Sequence, residues 1–239
     1  MVKLYNIFNH WYHGGVIWII SDTHFEDDDC LLMDRHWITP DEQVALINAK
    51  VGKKDTLIHL GDVGNINYIK QLKGYKVLVT GNHDQGATIY QKKWGIEVNH
   101  KYLNTIDPKA LEYVNDKWFD TYEEAQAYKD ELEADFVAKF NVIDNKLFDE
   151  VYDGPLFINE KIMLSHEPIE LPFGINIHGH NHSGPKKILL NGFVSINMAA
   201  NVCKYTPERL DKLIEGCKVN DLHRITVDWA TKNSLKKKK

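Results

Sequence analysis

The chain has 239 residues, 43% of them hydrophobic and 26% charged, with a net charge of −5 at neutral pH. That length suits one large α/β domain or a domain with an insertion, and the apolar content excludes wholesale disorder. The acidic balance argues against a dedicated nucleic-acid coat, though not against a nuclease whose metal ions would offset the local charge.

In chain order, residues 1–15 say least. Lys3–Phe8 reads as a short strand, and His10 and His13, beside Trp11 and Tyr12, read as exposed loop residues rather than ligands. Gly14-Gly15 turns the chain into the first clear strand, Val16–Ile20, which runs into Asp22-Thr23-His24. An Asp and a His two apart in a loop can both reach one ion. The acidic run Glu26–Asp29 reads as a solvated loop. Arg35 reads as a surface ion-pair former, with contact to a substrate phosphate as the alternative. Thr39-Pro40-Asp41-Glu42 carries the marks of a helix start: Thr39 as N-cap, Pro40 in the first turn, Glu42 closing a capping box. Val44, Ile47 and Val51 then share one face, which packs that helix on the sheet.

Thr56–Asn65 is the centre of the pattern. Thr56–Leu60 has the composition of a buried strand, broken by Gly61-Asp62 and then Gly64-Asn65. Such a break delivers a carboxylate to the ligand-binding edge of a parallel sheet. A lone Gly-Asp is more often a turn or a cap, but other apolar runs end the same way. Asp22 and His24 follow the first strand, Gly81-Asn82-His83-Asp84 follows Val77–Thr80, His166 follows Ile162–Ser165, and His180 and His182 follow Ile175–His178. Ile66, Ile69 and Leu72 suggest a short helix ending at Gly74, before a strand over Tyr75–Val79, so residues 16–80 follow a βαβ pattern.

Residues 100–145 crowd acidic residues and lysines. Thr121–Glu124 is a second capping box, and Tyr128, Leu132, Phe136 and Phe140 follow at helical spacing. They read as two inserted helices, forming either an appended layer or a lid that shapes substrate access. Further on, a tight turn falls near Asn159-Glu160, and Asn191-Gly192 is the signal of a type I′ hairpin, so the second half reads as a mixed or antiparallel sheet. A helix over Pro207–Ile214 and a last strand over Arg224–Asp228 complete one domain across residues 1–235, and Lys236–Lys239 is a basic tail.

Two metals bound through oxygen and nitrogen need about seven side chains from distant segments, one of them shared. Asp22, His24, Asp62, Asn82, His166, His180 and His182 supply that set, with Asp62 as the bridge. No cysteine stands among them, against a structural zinc site. Asparagine and carboxylate oxygens beside imidazoles suit manganese, iron, nickel or zinc. The chemistry generic to such a pair is phosphoryl transfer, in which the ions clamp phosphate oxygens and acidify a bridging water. Lowering that water's pKa from about 15.7 to about 7 removes roughly 12 kcal/mol of deprotonation cost. A single histidine base, worth about 10²–10⁴-fold, supplies less. His59 and His178 lie inside strands and read as core and strand histidines. Asn181-His182-Ser183 matches a glycosylation acceptor, a false positive where His182 is a ligand.

The ordered blocks Asp22-x-His24, Gly61-Asp62, Gly81-Asn82-His83-Asp84, His166 and Gly179-His180-x-His182 resemble the calcineurin-like metallophosphoesterase superfamily. The resemblance runs from about residue 16 to 200, with 100–145 outside it. It implies a four-layer α/β sandwich of two mixed β-sheets flanked by helices, here with a helical insertion. It implies two divalent ions, manganese first, with iron, nickel or zinc as alternatives. One would take Asp22, His24, Asp62 and His182, the other Asp62, Asn82, His166 and His180. His83 would bind substrate phosphate and protonate the leaving group, and Asp84 would orient it. After Asp62 the chain lacks the Asp-Arg-Gly of the Ser/Thr protein phosphatases, so their phosphate-gripping arginines are not evident. Ser165-His166-Glu167-Pro168 looks more like the small bacterial and phage phosphoesterases.

The expected activity is hydrolysis of phosphodiesters of small or nucleotide-like substrates. A phosphomonoesterase, a nuclease and a catalytically silent scaffold are the alternatives; the lack of a Lys/Arg stripe near the motifs counts against nucleic acid. Three cysteines, Cys30, Cys203 and Cys217, have no framework spacing, and no apolar run approaches the roughly 20 residues of a membrane span. With no signal-peptide pattern, the sequence reads as cytoplasmic, with no membrane partner.

Overall fold

A computed structural model describes residues 1–114 and 117–225, which divide into two compact units. One comprises Met1–Tyr90 together with the chain from Asp149 onward; the other is Gln91–Phe148. The first unit begins with a 3₁₀ turn, Asn6–Trp11, where a strand was expected over Lys3–Phe8. Phe8 and Trp11 lie three residues apart, both buried, with ring centroids 4.5 Å apart. That spacing is the repeat of a 3₁₀ helix, whose side chains at i and i+3 eclipse.

Next come β1 (Ile17–Ile20), a short helix α1 (Cys30–Met33), α2 (Pro40–Lys50), β2 (Thr56–His59), β3 (Tyr75–Val79) and α3 (Ala87–Tyr90). The capping box of α2 is present in both directions between Thr39 and Glu42, and Val44, Ile47 and Val51 are buried. Between β2 and β3 the expected helix shrinks to one 3₁₀ turn, Ile69–Gln71, because the Asp62 loop occupies much of that connection.

The second unit holds β4 (Trp94–Val98), α4 (Pro108–Val114), β5 (Trp118–Phe119), α5 (Tyr122–Asp135) and β6 (Phe140–Asp144). Its strands form an antiparallel sheet ordered β5-β4-β6. Ile96, Val98, Ala110, Val114, Ala125, Leu132 and Phe140 make its core. Both expected helices are there, and α5 starts at the Thr121–Glu124 capping box. It ends at Asp135, however, and Phe140 belongs to β6. A spacing of four keeps side chains on one face of a strand as well as of a helix, so the run through Phe140 fits either. The unit's two ends are neighbours: Gln91 and Phe148 form a β-bridge, and Lys92 N–H donates to Phe148 O at 2.7 Å.

Back in the first unit follow β7 (Glu150–Tyr152), β8 (Leu156–Phe157), β9 (Ile162–Leu164), β10 (Ile175–His178), β11 (Lys187–Leu190), β12 (Phe193–Asn197), β13 (Glu208–Arg209) and α6 (Leu210–Ile214). One sheet is ordered β13-β1-β2-β3-β7 and is parallel except for β13. The other is ordered β11-β12-β10-β9-β8, with β9, β10 and β12 parallel and the edge strands antiparallel. The fold is therefore mixed α/β, with mixed sheets flanked by helices. The sheets join just past β1, where Ser21 N–H donates to Met198 O at 2.9 Å.

Asn191 and Gly192 have φ of 37° and 89°, the signs a type I′ hairpin requires. The helix expected from Pro207 starts only at Leu210, because Glu208 and Arg209 pair with Ile19 and Trp18 of β1. Of the strand expected over Arg224–Asp228, residues 224 and 225 belong to a helical turn, and the rest lies outside the described residues, as does the tail Lys236–Lys239. Among the described residues, no helix is long and apolar enough to cross a membrane.

Candidate metal centre

Asp22 and His24 follow β1, Asp62 follows β2, and Asn82, His83 and Asp84 follow β3; His166 follows β9, and His180 and His182 follow β10. Parallel neighbours end on the same side, so each sheet collects its loops at one edge. Four of the expected ligands have left-handed backbones: Asp22 (φ 54°), His24 (39°), Asp62 (54°) and His180 (64°). Such positions cost about 1–3 kcal/mol each and concentrate at functional sites.

Close approach is built in through glycine. A Cβ on Gly179 would lie 2.0 Å from Ser21 Oγ and 2.1 Å from Asp22 Oδ2. Without one, the next residue, His180, donates its backbone N–H to Asp22 Oδ1 at 2.9 Å and Oδ2 at 3.0 Å.

Two groups of ligand-type atoms result, Asp22 with His24 and His182, and Asp62 with His166 and His180, each within 4.8 Å. Asp62 links them, since its Oδ2 is 3.2 Å from His166 Nε2 and 3.6 Å from His24 Nε2. Asn82 Oδ1 lies 2.8 Å from His166 Nε2 and 3.1 Å from His180 Nδ1. His182 Nε2 is 3.5 Å from Asp22 Oδ1. All seven expected ligands therefore converge.

The chemistry of the donor set fits cations. His24 Nδ1 is 2.9 Å from Asp27 Oδ2, His166 Nδ1 is 2.8 Å from Leu60 O, and His182 Nδ1 is 3.3 Å from Asn201 Oδ1. An oxygen acceptor at Nδ1 places the N–H there and leaves the Nε2 lone pair facing the cluster, the usual orientation of a metal-binding histidine. His24 Nε2 is buried and has no hydrogen-bond partner among the described residues. His166 Nε2 faces the oxygens of Asp62 and Asn82, which call for a proton or a cation at that nitrogen. A divalent ion would satisfy both histidines.

Titration behaviour agrees. Burial raises the Asp22 carboxyl and lowers the His182 imidazole, pushing each toward its neutral form. Burial alone would lower His166, but the hydrogen bond to Asp62 and the charges of Asp22 and Asp62 outweigh it and raise it to about 8. Burial likewise raises Asp62, yet the hydrogen bond and charge of His166 prevail and hold it at about 2.

In metal-free protein, then, a proton on His166 stands where a cation would. Its stabilising effect is present below the unfolded value of about 6.5 and is lost as pH rises through about 8. A divalent ion must displace that proton. Its affinity is expected to rise about tenfold per pH unit below pH 8 and then level off. Isothermal titration in buffers of different ionisation enthalpy reads the proton release, and a pH-independent affinity would count against the assignment.

Some contributors carried no evident sequence signal. Asp27, in a run read as solvated loop, instead bonds His24, and Asn201 holds His182 through its side chain while donating to His182 O at 2.8 Å. The spacing of Asp27 three residues after His24 was the available clue. Asp84 also acts differently from expectation. Its carboxylate accepts from the backbone N–H groups of Asp62 (3.0 Å), Val63 (3.0 Å) and Gly81 (2.7 Å). It therefore fixes the Asp62 loop rather than the His83 ring.

His83 donates its backbone N–H to Asp62 Oδ1 at 2.9 Å, and its exposed ring lies 5.5 Å from that of His24 between centroids. His59 and His178 are buried beside Thr23 Oγ1 and Ser195 Oγ, as expected of core residues. His10 bonds Glu150, His13 packs on Tyr75, and exposed Arg35 donates to His36.

Paired Asp/His clusters at the loop edges of mixed sheets support a metal-dependent phosphoesterase that uses divalent ions. The family model of the calcineurin-like phosphoesterases matches residues 15–206, and the chain belongs to that family. Among solved structures, it is similar to a protein of unknown function from Aquifex aeolicus. The two share 21% identity over 84% of this chain and 100% of that one, with a TM-score of 0.47. No curated protein matches the sequence.

Proposed function

We propose that the protein hydrolyses phosphodiesters of small or nucleotide-like substrates with two divalent ions, manganese first among them. Asp22, His24, Asp62 and His182 would hold one ion, and Asp62, Asn82, His166 and His180 the other. The observation that carries this reading is the buried, unpartnered Nε2 of His24, 3.6 Å from the Asp62 carboxylate that the two clusters share. When bound, the ions supply Lewis-acid charge to the phosphate oxygens and lower the pKa of the attacking water.

The side chains divide the remaining work. The outer partners Asp27, Leu60 and Asn201 keep the three histidine lone pairs turned inward. His83, tied through its N–H to Asp62, would protonate the departing oxygen. The cleft beside His83 has no Lys or Arg among the described residues that line it. That suits a diester, which carries one negative charge, over a monoester, which carries up to two. The free thiols Cys30, Cys203 and Cys217 support a reducing, cytoplasmic setting.

The test is hydrolysis of bis-p-nitrophenyl phosphate and p-nitrophenyl phosphate in manganese. Diester cleavage at least tenfold the faster is expected; monoester preference would replace the reading by a phosphomonoesterase, and silence on both would overturn it. His83→Ala should cost about 10²–10⁴-fold on alkyl esters and far less on nitrophenyl esters, whose leaving groups need no proton. Equal losses on both would assign His83 to phosphate binding.

A further inference from the structure

We infer that Glu26 selects against substrates whose leaving group carries negative charge, an inference that rests on reading the metal centre as catalytic. A cleft of about 510 Å³ opens beside His24 and His83, large enough for a small organic group. Because His83 is the group placed to protonate the leaving oxygen, the leaving arm of a bound diester lies in this cleft. Its lining includes the acidic residues Glu26 and Asp27, the amide residues Asn65 and Gln85, and Ile66 and Ile89.

Asp27 is matched by His24, but Glu26 is not matched by a cation among the described residues. It is nonetheless held in place. Its Oε1 accepts from Tyr68 OH at 2.7 Å and its Oε2 from Asn65 Nδ2. Tyr68 in turn stacks on buried Phe25, ring centroids 5.3 Å apart and planes 27° apart. The backbone of Glu26 is left-handed (φ 58°), which fixes the direction in which the side chain leaves.

The division of charge is therefore spatial. The phosphoryl group meets the cations of the metal centre, while the arm that departs meets a fixed anion. Two unit charges about 6 Å apart at an effective dielectric of about 40 change kcat/KM by about tenfold. Neutral or cationic alcohols are favoured as leaving groups: nucleosides, polyols and amino alcohols. A leaving arm that retains a phosphate, as in a polynucleotide or a nucleoside polyphosphate, is disfavoured.

The experiment uses methyl aryl phosphodiesters whose leaving phenol bears a 4-trimethylammonium, a 4-cyano or a 4-carboxylate group, with the manganese-loaded parent and Glu26→Gln. Glutamine keeps an oxygen acceptor for Tyr68 or Asn65. Leaving-group acidity cancels when each ester's variant-to-parent ratio is taken. Glu26→Gln is expected to raise kcat/KM for the carboxylate ester about tenfold relative to the neutral cyano ester and about a hundredfold relative to the cationic one. The parent's preference for the cationic ester should also fade as salt is added. An unchanged ratio with all esters cleaved would overturn the role of Glu26 alone. No cleavage of any ester by the parent would overturn the catalytic reading, and this inference with it.

Discussion

Asp62→Asn is expected to abolish metal-dependent hydrolysis, with a loss on the order of 10³-fold or more in kcat, while the protein stays folded. The substitution nearly preserves the metal-free structure. The asparagine oxygen can still accept the His83 N–H that Asp62 Oδ1 accepts at 2.9 Å. The new amide N–H₂ would face His166 Nε2 at 3.2 Å, donating to it once loss of the carboxylate charge lets that nitrogen give up its proton. The variant is thus satisfied without cations and poorly suited to them, having lost the negative charge common to both clusters. Metal content measured after dialysis should fall from two ions per chain to one or none, with the thermal midpoint of the metal-free protein lowered at neutral pH, where the pairing of ionised Asp62 with protonated His166 is lost. Retention of two ions with full turnover would remove Asp62 from its bridging role.

Gly61→Ala should be strongly destabilising, by roughly 3 kcal/mol or more. Two effects add. Gly61 has φ 94°, where an L side chain is strained, and its Cβ would lie 2.4 Å from Gly81 N and 2.6 Å from Gly81 Cα. Those are backbone atoms, and they have little freedom to retreat, because Gly81 N–H is held at 2.7 Å by Asp84, which also holds Asp62 N–H. Chemical denaturation of the metal-free protein measures the loss. Gly154→Ala, where the added carbon meets nothing within 4 Å, is the control. A Gly61→Ala variant within about 1 kcal/mol of the parent would show that the two loops are looser than this packing requires.

Much of this was legible in the sequence because it rests on local rules. Apolar runs ending in Asp, Asn or His located the strand ends, and two Thr-x-x-Glu boxes and one Asn-Gly located two helices and a hairpin. What escaped depends on contacts between distant segments. Glu208 and Arg209 are strand only because β1 offers an edge, and nothing in Pro207–Ile214 announces that. The β-sheet of the second unit hid behind a four-residue spacing shared by helix and strand. Asn201 reaches His182 across 19 residues, with no periodicity to mark it. Asp84 follows His83 directly, and that adjacency suggested a partnership, whereas its oxygens belong to a loop more than 20 residues earlier.

The bridge between Gln91 and Phe148 has a consequence for how such a chain can change over time. A segment that enters and leaves at neighbouring residues demands no particular distance of its host. Exchanging it for a tight turn, or for a longer module, leaves the spacing of the flanking strands untouched. The seven converging ligands all lie outside it, in the first unit. Gln91–Phe148 can therefore be exchanged as a cassette without removing any residue proposed for the chemistry.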